Sequence, residues 1–373
     1  MDKYGHGGDI YGNPGVELDF SVNTNPLGMP DEVRRALLAH VDEYARYPDP
    51  LCRQLRAAIA AHENKSDCGG GLSEDMVLCG NGAADLIYRL CYAAKPRRAL
   101  VCAPAFSEYE RALTQAGCEV SHHRLEPGNQ FNLTAEIEDR LTPGLGMLFL
   151  CHPNNPTGRL IPEDLLARIL RRAGRNRIRV VVDECFLDFT DGVSAKRYLR
   201  EIPGLAVLKA FTKTYAMAGL RLGYLLTADR AWLDKTNAAA PCWSVSVPAQ
   251  IAGAAALACA GWLEKTRRVV AEERRFLSEG LTGLGITVFP SDANFLLLRR
   301  EPGADAGQNG GRPAGETDRP GEDRLYAPLL SKGLLIRPCG NFKGLDASYY
   351  RTGVKTRPEN RRLLQAVKEI VYG

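Results

Sequence analysis

Residues 205–226 read LAVLKAFTKTYAMAGLRLGYLL, and this stretch sets the architecture of the chain. It joins two apolar, strand-like runs through a loop in which Lys213 stands between two threonines. Further strand-like runs lie at residues 76–79, 99–103, 146–152 and 179–185, and amphipathic helical patterns lie at 84–94, 108–116 and 162–173. Short apolar runs that alternate with helical patterns are typical of a mostly parallel sheet covered by helices. We therefore predict an α/β fold whose functional residues lie in loops at the carboxyl ends of the strands.

The pattern changes after about residue 236. A long helical region at 250–281 leads to a strand-like run at 293–298, and a terminal helix follows at 358–371. We predict a large domain over residues 38–235, a smaller α+β domain over 236–373, and an N-terminal arm, residues 1–37, that joins the small domain. Residues 301–323 are rich in Gly, Pro and Asp and cannot bury enough apolar surface to offset the entropy of ordering. We predict a mobile surface insertion there.

The composition excludes several classes of protein. The chain has 373 residues, of which 45% are hydrophobic and 25% charged, and this suits a globular protein with an ample core. A net charge of +4 argues against nucleic-acid binding, and no apolar run reaches the roughly 20 residues of a membrane span. The first residues lack a signal-peptide core, and the 11 cysteines form no Cys-x-x-Cys pair, so we predict a cytoplasmic protein with reduced thiols. We predict no metal site, because the adjacent His122 and His123 would face opposite sides of a strand.

Two turns after strand-like runs carry candidate binding groups. Residues 80–85 read GNGAAD, and small residues such as Gly82 and Ala83 let backbone N–H groups approach an anion at a helix N-terminus. Residues 152–158 read HPNNPTG, and the prolines fix the backbone so that the amide of Asn155 can donate to a phenolate oxygen. Taken singly, common turn chemistry would explain either segment.

Two further residues complete a pattern that points to a cofactor. Asp183 ends an apolar strand-like run, where a carboxylate is costly unless it is paired, and a pyridinium N–H would pair it. Lys213 offers an amine for a Schiff base, while Thr212 and Arg221 offer a hydroxyl and a cation for a phosphate. A structural salt bridge is the alternative for Asp183. Together these residues predict a site for pyridoxal 5′-phosphate.

Two arginines indicate the class of substrate. Arg337 ends a strand-like run, and Arg351 follows a pair of tyrosines. Arginine forks match the geometry of carboxylates and phosphates, so two of them suggest a small substrate with two anionic groups. From the residues alone, a surface position would equally explain each arginine.

In their identity and in their order along the chain, the motifs resemble those of the fold-type I pyridoxal phosphate enzymes, the aspartate aminotransferase superfamily. The resemblance spans nearly the whole chain except residues 301–323, and it implies a large domain with a mostly parallel seven-stranded sheet, a smaller C-terminal domain and a homodimer. It implies catalytic roles for Lys213, which would hold the cofactor, and Asp183, which would pair with its ring nitrogen. The other cofactor contacts that it implies are Asn155 at the ring oxygen, Phe106 stacked on the ring, Gly82, Ala83, Thr212 and Arg221 at the phosphate, and Tyr47 at the partner subunit's cofactor.

Within this superfamily the chain resembles two enzyme families, the histidinol-phosphate aminotransferases and the threonine-phosphate decarboxylases of cobalamin biosynthesis. Residues 6–8, 19–28, 243–245 and 336–342 look like the decarboxylases. Phe186 stands where aminotransferases usually carry a tyrosine that hydrogen-bonds the cofactor. The resemblance therefore favours decarboxylation of L-threonine O-3-phosphate to (R)-1-amino-2-propanol O-2-phosphate. The substrate contacts that we expect are His6, Asn23, Asn155, Arg337 and Arg351.

Two other functions stay open on the sequence. An aminotransferase acting on histidinol phosphate or an aromatic amino acid would share every cofactor residue. A pyridoxal phosphate-binding regulator or carrier without turnover belongs to a different class, and such proteins usually carry a fused DNA-binding domain.

Overall fold

The computed structural model describes residues 5–65, 71–300 and 324–373 of the chain. The predicted insertion at 301–323 lies outside these described residues, as do the first four residues of the predicted N-terminal arm.

Eleven α-helices and thirteen strands make up the described parts of the chain. The helices are α1 (Asp31–Ala39), α2 (Arg53–Glu63), α3 (Ala83–Ala94), α4 (Ser107–Gln115), α5 (Glu163–Arg175), α6 (Phe211–Thr214), α7 (Arg230–Ala238), α8 (Val247–Ala258), α9 (Trp262–Gly283), α10 (Tyr326–Ser331) and α11 (Arg357–Tyr372). The strands are β1 (Leu18–Asp19), β2 (Val77–Gly80), β3 (Arg98–Ala103), β4 (Glu119–Arg124), β5 (Met147–Cys151), β6 (Arg179–Asp183), β7 (Leu205–Ala210), β8 (Gly223–Thr227), β9 (Thr287–Val288), β10 (Phe295–Arg299), β11 (Leu334–Leu335), β12 (Arg337–Pro338) and β13 (Tyr349–Gly353).

A seven-stranded sheet forms the centre of the molecule, in the order β2-β8-β7-β6-β5-β3-β4. Its strands are parallel except β8, which pairs antiparallel with both β2 and β7. The inner strands consist mostly of buried apolar residues because helices cover both faces. One face packs against α3, α4 and α7, and the other packs against α2, α5 and α8. The predicted α/β class and mostly parallel sheet are confirmed.

The register of the central strands brings their carboxyl ends together. Cys151 at the end of β5 pairs with Asp183 at the end of β6, and Asp183 pairs with Leu208 of β7. Because β7 leads directly into α6, the Lys213 segment leaves the sheet beside Asp183. The motifs predicted to lie together at the carboxyl ends of the strands therefore do so.

A smaller layer is formed mainly by residues that follow the seven-stranded sheet in the sequence. It contains a four-stranded antiparallel sheet, β12-β13-β10-β9, packed with α9 and α11 around its own apolar core. The N-terminal segment reaches this layer, since Leu18 of β1 pairs in parallel with Leu334 of β11. The predicted boundary at residue 235 falls inside α7, and the division of the chain into three parts stays a prediction.

The helical region expected at 250–281 is divided into two helices. Helix α8 ends at Ala258, and α9 begins after Gly261, whose φ of 68° is in the left-handed region that glycine tolerates. The pattern of apolar residues continued across this break, which is why the sequence did not reveal it. Within the described ranges, no helix is both long enough and apolar enough to cross a membrane.

Candidate active site

A cavity of about 480 Å³ opens at the carboxyl ends of β5, β6 and β7, and residues of the small layer form part of its wall. Eleven of the thirteen residues predicted for the site line it: His6, Asn23, Ala83, Phe106, Asn155, Asp183, Thr212, Lys213, Arg221, Arg337 and Arg351. The two that do not are Gly82, which directly precedes Ala83, and Tyr47. The structure thus brings together segments from both ends of the sequence around one cavity.

Lys213 projects from α6, the short helix that follows β7. The backbone N–H of Asn25 donates to the carbonyl oxygen of Lys213 over 3.0 Å and ties this turn to the N-terminal segment. Burial, and then the positive charge of Arg351, lower the pKa of Lys213 to about 8. A larger fraction of this lysine is therefore a neutral amine near neutral pH than for a lysine in water, and the neutral amine is the nucleophilic form.

Asp183 is buried at the end of β6. Its Oδ2 accepts from the Tyr109 hydroxyl over 2.6 Å, and its Oδ1 accepts from the backbone N–H of Cys185 over 3.0 Å. Burial raises the pKa of this carboxyl, and the hydrogen bonds from Cys185 and Tyr109 oppose that rise. A carboxylate that is desolvated but held by two neutral donors has its charge available for a cationic partner.

The N-terminus of α3 and Arg221 form an anion-binding corner. Gly82 has a φ of 84°, and a Cβ added to it would lie 2.5 Å from the Arg221 Nη2, so glycine permits the close approach of the guanidinium. Ala83 begins the helix, and Thr212 presents a hydroxyl to the same cavity. Backbone N–H groups at a helix N-terminus, a hydroxyl and a guanidinium are the donors that a phosphate requires.

Arg351 lies at the floor of the cavity on β13 and is buried. Its guanidinium donates to the Asn155 Oδ1 and, over 2.8 Å, to the carbonyl oxygen of Ser21. The hydrogen bond from Arg351 occupies the Oδ1 of Asn155. In the predicted role, the side-chain nitrogen of Asn155 is the group that donates to the ring oxygen of the cofactor. Within the described part of the chain, the buried Arg351 Nε and Asn23 Oδ1 have no hydrogen-bond partner. A buried polar atom without a partner is costly, and a bound polar ligand would satisfy both.

His6 and Phe106 lie at the opposite wall of the cavity. Their ring centroids are 5.6 Å apart, and Phe106 also meets the edge of Tyr109 at 5.6 Å. Arg337 lines the cavity nearby, and its guanidinium donates to the Asn341 Oδ1 over 2.8 Å and to the carbonyl oxygen of Gly5. Two cations and one imidazole thus border the cavity at Arg337, Arg351 and His6.

Several lining residues were missed by the sequence reasoning. Glu108, Tyr109 and Arg111 follow Phe106 in the first turns of α4, so the helical pattern after Phe106 was a usable signal for them. Ser21 and Cys185 lie two positions from the predicted residues Asn23 and Asp183, and Phe342 follows Arg337 by five positions. Phe186 also lines the cavity, and its ring packs edge-on against Phe295 at 5.0 Å.

Tyr47 lies outside the cavity. Its side chain is exposed, and its ring packs against Trp243 with centroids 4.6 Å apart. Within the single chain it contacts no other predicted site residue that the structure describes, so its predicted contact with a partner subunit's cofactor stays a prediction.

The cavity fits pyridoxal 5′-phosphate on the chemistry of its donors. It offers one amine with a lowered pKa at Lys213, one buried carboxylate at Asp183, and an anion-binding corner formed by Ala83, Thr212 and Arg221. These are the groups that the aldehyde, the ring nitrogen and the phosphate of this cofactor require.

Comparison with known proteins gives the same result. Residues 16–367 match the family described as aminotransferase class I and II. The chain is 38% identical to the threonine-phosphate decarboxylase of Salmonella typhimurium, over 99% of this chain and 97% of that protein. It is 34% identical to the histidinol-phosphate aminotransferase of Symbiobacterium thermophilum, over 94% of this chain and 90% of that protein.

Solved structures share the fold. The histidinol-phosphate aminotransferase from Clostridium acetobutylicum superposes with a TM-score of 0.82 at 27% identity, over 95% of this chain and 98% of that one. The L-threonine-O-3-phosphate decarboxylase from Porphyromonas gingivalis superposes with a TM-score of 0.78 at 24% identity, over 95% of this chain and all of that one. The chain therefore belongs to the aminotransferase class I and II family of pyridoxal 5′-phosphate-dependent enzymes, as its motifs predict.

Proposed function

We propose that this enzyme decarboxylates L-threonine O-3-phosphate to (R)-1-amino-2-propanol O-2-phosphate and carbon dioxide, as a step of cobalamin biosynthesis. The observation that carries the proposal is the set of groups opposite Lys213, where Arg337, Arg351, His6 and Asn23 border one cavity. A substrate with both a carboxylate and a phosphate matches this set of donors. The 38% identity to a threonine-phosphate decarboxylase over almost the full length of both chains supports the same substrate.

Pyridoxal phosphate, when bound, withdraws electrons from the bonds at the α-carbon of an amino acid joined to it. Lys213 would hold the cofactor and afterwards return a proton to the α-carbon, because its lowered pKa of about 8 lets it act as acid and base near neutral pH. Asp183 would keep a proton on the ring nitrogen. Asn155 would donate to the ring oxygen, and Phe106 would stack on the ring.

The phosphate of the substrate would select the reaction as well as the substrate. Contacts from Arg337, His6, Asn23 and Arg351 to this distal group would fix the orientation of the α-carbon, and orientation determines which of its bonds breaks. The carboxylate would leave as carbon dioxide, and a proton would take its place on the α-carbon. Phe186 supports this assignment, because its ring packs on Phe295 and has no hydroxyl to donate to the cofactor as the usual aminotransferase tyrosine does.

The proposal is tested by product analysis with the pyridoxal phosphate-loaded enzyme and L-threonine O-3-phosphate, with no keto acid present. We expect carbon dioxide and the amino-alcohol phosphate in equal amounts over many turnovers. A single turnover, or none, would contradict a decarboxylase.

Histidinol-phosphate aminotransferase is the second candidate, and the 34% identity to such an enzyme favours it. Incubation with histidinol phosphate and 2-oxoglutarate separates the two functions. Formation of glutamate in this mixture, without carbon dioxide release from threonine phosphate, would establish the aminotransferase and make Phe186 a neutral difference.

Replacement of Arg337 by alanine should lower kcat/KM for L-threonine O-3-phosphate about 100-fold, near the upper end of what a hydrogen bond between charged groups contributes. The loss should be much smaller for unphosphorylated L-threonine, which lacks the group that Arg337 is proposed to bind. Steady-state kinetics with both substrates measure these losses. Arg362→Ala, which removes an arginine from an exposed ion pair with Glu17, is the control. Full decarboxylation of threonine phosphate by Arg337→Ala would contradict the proposed role.

We further propose a cytoplasmic homodimer in which Tyr47 binds the phosphate of the cofactor in the partner subunit. The exposure of Tyr47 and Trp243 supports this assignment, because two large aromatic rings in contact on a surface are typical of an interface.

A further inference from the structure

Glu108 presents a carboxylate to the wall of the cavity, with its side chain 10% exposed. Its Oε1 accepts from the His6 Nε2–H over 2.9 Å, and its Oε2 accepts from the Tyr88 hydroxyl over 2.7 Å. The Arg111 Nη1 lies 3.5 Å from the same Oε1. The roles proposed above leave this carboxylate unused.

His6 belongs to a short strap, residues 5–8, that crosses the cavity. On one side of His6, the carbonyl oxygen of Gly5 accepts from Arg337 and, over 3.1 Å, from the Asn341 Nδ2. On the other side, the backbone N–H of Gly8 donates to the Ser21 Oγ over 2.7 Å. The strap is thus attached to Arg337 before His6 and to Ser21 after it, and the His6 side chain is its link to α4.

The strap runs so close to the wall that a side chain would not fit at its centre. A Cβ added to Gly7 would lie 2.4 Å from the carbonyl oxygen of Ser21. The path of the strap is therefore set by the backbone contact at Gly7, and the position of the His6 imidazole is set by its bond to Glu108.

We infer that Glu108 is a positioning residue that anchors His6, and with it the strap, over the cavity so that His6 and Arg337 meet the distal anion of the substrate together. This inference rests on the proposed function for the identity of that anion. It goes beyond the proposed function in assigning the anchoring to a carboxylate that has no role in that function.

The geometry explains how one carboxylate can serve this purpose. The Tyr88 hydroxyl is neutral, so it fixes the direction of the carboxylate without cancelling its charge. The other oxygen is thereby aimed at the His6 imidazole, whose side chain is 38% exposed and would otherwise spread over several rotamers. Holding a binding group in place before the ligand arrives strengthens binding because less freedom is lost on association.

The test compares Glu108→Ala, His6→Ala and the double variant in the pyridoxal phosphate-loaded enzyme. For L-threonine O-3-phosphate, we expect Glu108→Ala to raise KM about tenfold and to leave kcat within about twofold. The double variant should be no worse than His6→Ala, because Glu108 acts through His6. Tyr88→Phe, which removes only the second hydrogen bond, should raise KM by a smaller factor.

Glu110→Ala is the matched control. Glu110 lies in the same first turn of α4, but it pairs with His122 at 3.0 Å and Lys343 at 2.8 Å rather than with His6. Its replacement should leave KM within about twofold of the wild-type value. An equal rise in KM for Glu110→Ala and Glu108→Ala would show a general effect on α4 and overturn the inference.

Hydrogen exchange gives a readout that does not depend on activity. In Glu108→Ala, amide exchange in residues 5–8 of the loaded enzyme should be at least about tenfold faster than in the wild type, and unchanged in Glu110→Ala. If the wild-type enzyme does not decarboxylate threonine phosphate but the exchange result holds, the proposed function fails while the anchoring stands. Unchanged exchange in both Glu108→Ala and Tyr88→Phe, or effects of Glu108→Ala and His6→Ala on KM that multiply, would overturn the anchoring itself.

Discussion

Replacement of Lys213 by alanine should lower kcat by at least about 10⁴-fold. Lys213 is the one amine among the described residues that line the cavity, and its loss would remove both the proposed covalent link to the cofactor and the proposed proton donor. Borohydride reduction followed by mass spectrometry checks the link directly. The wild-type peptide that contains Lys213 should carry the reduced cofactor, and no peptide of the variant should.

Lys332→Ala is a suitable control, because Lys332 forms an exposed ion pair with Glu369 far from this chemistry. It should keep both the labelled peptide and the wild-type kcat. Label on another lysine with kcat retained in Lys213→Ala would refute the assignment.

The pKa of Lys213 adds a pH dependence to this prediction. Burial stabilises the neutral amine, so its pKa falls to about 8, and the neutral form is the one that would attack the aldehyde of the cofactor. The rate at which apoprotein recombines with pyridoxal phosphate should rise with pH through about 8 and level off above it. Stopped-flow absorbance would follow the reaction, and a rise centred two pH units higher would contradict the lowered pKa.

Replacement of Glu63 by glutamine should lower the free energy of unfolding by about 3–5 kcal/mol, which is the usual effect of breaking a buried ion pair. Glu63 is buried at the end of α2, where it accepts from the Lys196 Nζ over 2.6 Å and the Lys209 Nζ over 3.2 Å. The Tyr224 hydroxyl donates to the same carboxylate. The amide of glutamine carries no charge, so the buried ammonium groups of Lys196 and Lys209 lose the carboxylate that they share.

Urea unfolding of the apoprotein measures this change. Glu369→Gln removes the carboxylate of an exposed pair at a similar distance, 2.7 Å from Lys332, and should cost less than about 1 kcal/mol. Equal decreases in the free energy of unfolding for the two variants would contradict a larger contribution from the buried ion pair.

The same carboxylate gives a pH dependence with a defined sign. Burial alone would raise the pKa of Glu63, but the charges of Lys209 and Lys196 hold it well below its ordinary value of 4.5. The stabilisation is therefore fully present above about pH 4.5 and is lost as the pH falls below it. The difference in unfolding free energy between wild type and Glu63→Gln should accordingly be constant from pH 7 to 5 and shrink in more acidic solution.

The sequence predicted those parts of the site that depend on local motifs. Asp183, Asn155 and Lys213 each follow an apolar strand, and parallel strands end at one edge of a sheet, so their meeting could be foreseen. Apart from His122 and His123, which were expected on a strand, β4 was absent from the predicted runs, because its residues at the sheet edge are mostly polar and half-exposed. The antiparallel direction of β8 was likewise hidden, since an apolar run carries no sign of its direction.

Individual ion pairs and hydrogen bonds between distant segments could not be predicted. Glu63 and Lys209 are 146 positions apart, and Lys209 stands inside an apolar run that gave no sign of a buried charge. Glu108 and His6 are 102 positions apart, so neither residue indicates the other in the sequence. Pairings of this kind depend on how the layers pack, and packing has no local signature.

Because the cavity is formed by residues that lie far apart in the sequence, its parts can assemble at different times during synthesis. Arg351 donates to the carbonyl oxygen of Ser21 across 330 positions, and Arg337 binds Gly5 across 332. At a ribosomal speed of about 10 residues per second, the early segment waits roughly half a minute for these partners. The strands beside Lys213 emerge well before that time, so the half of the cavity that fits the cofactor can assemble on the nascent chain. The half that would recognise the substrate closes only after Arg337 and Arg351 have been synthesised.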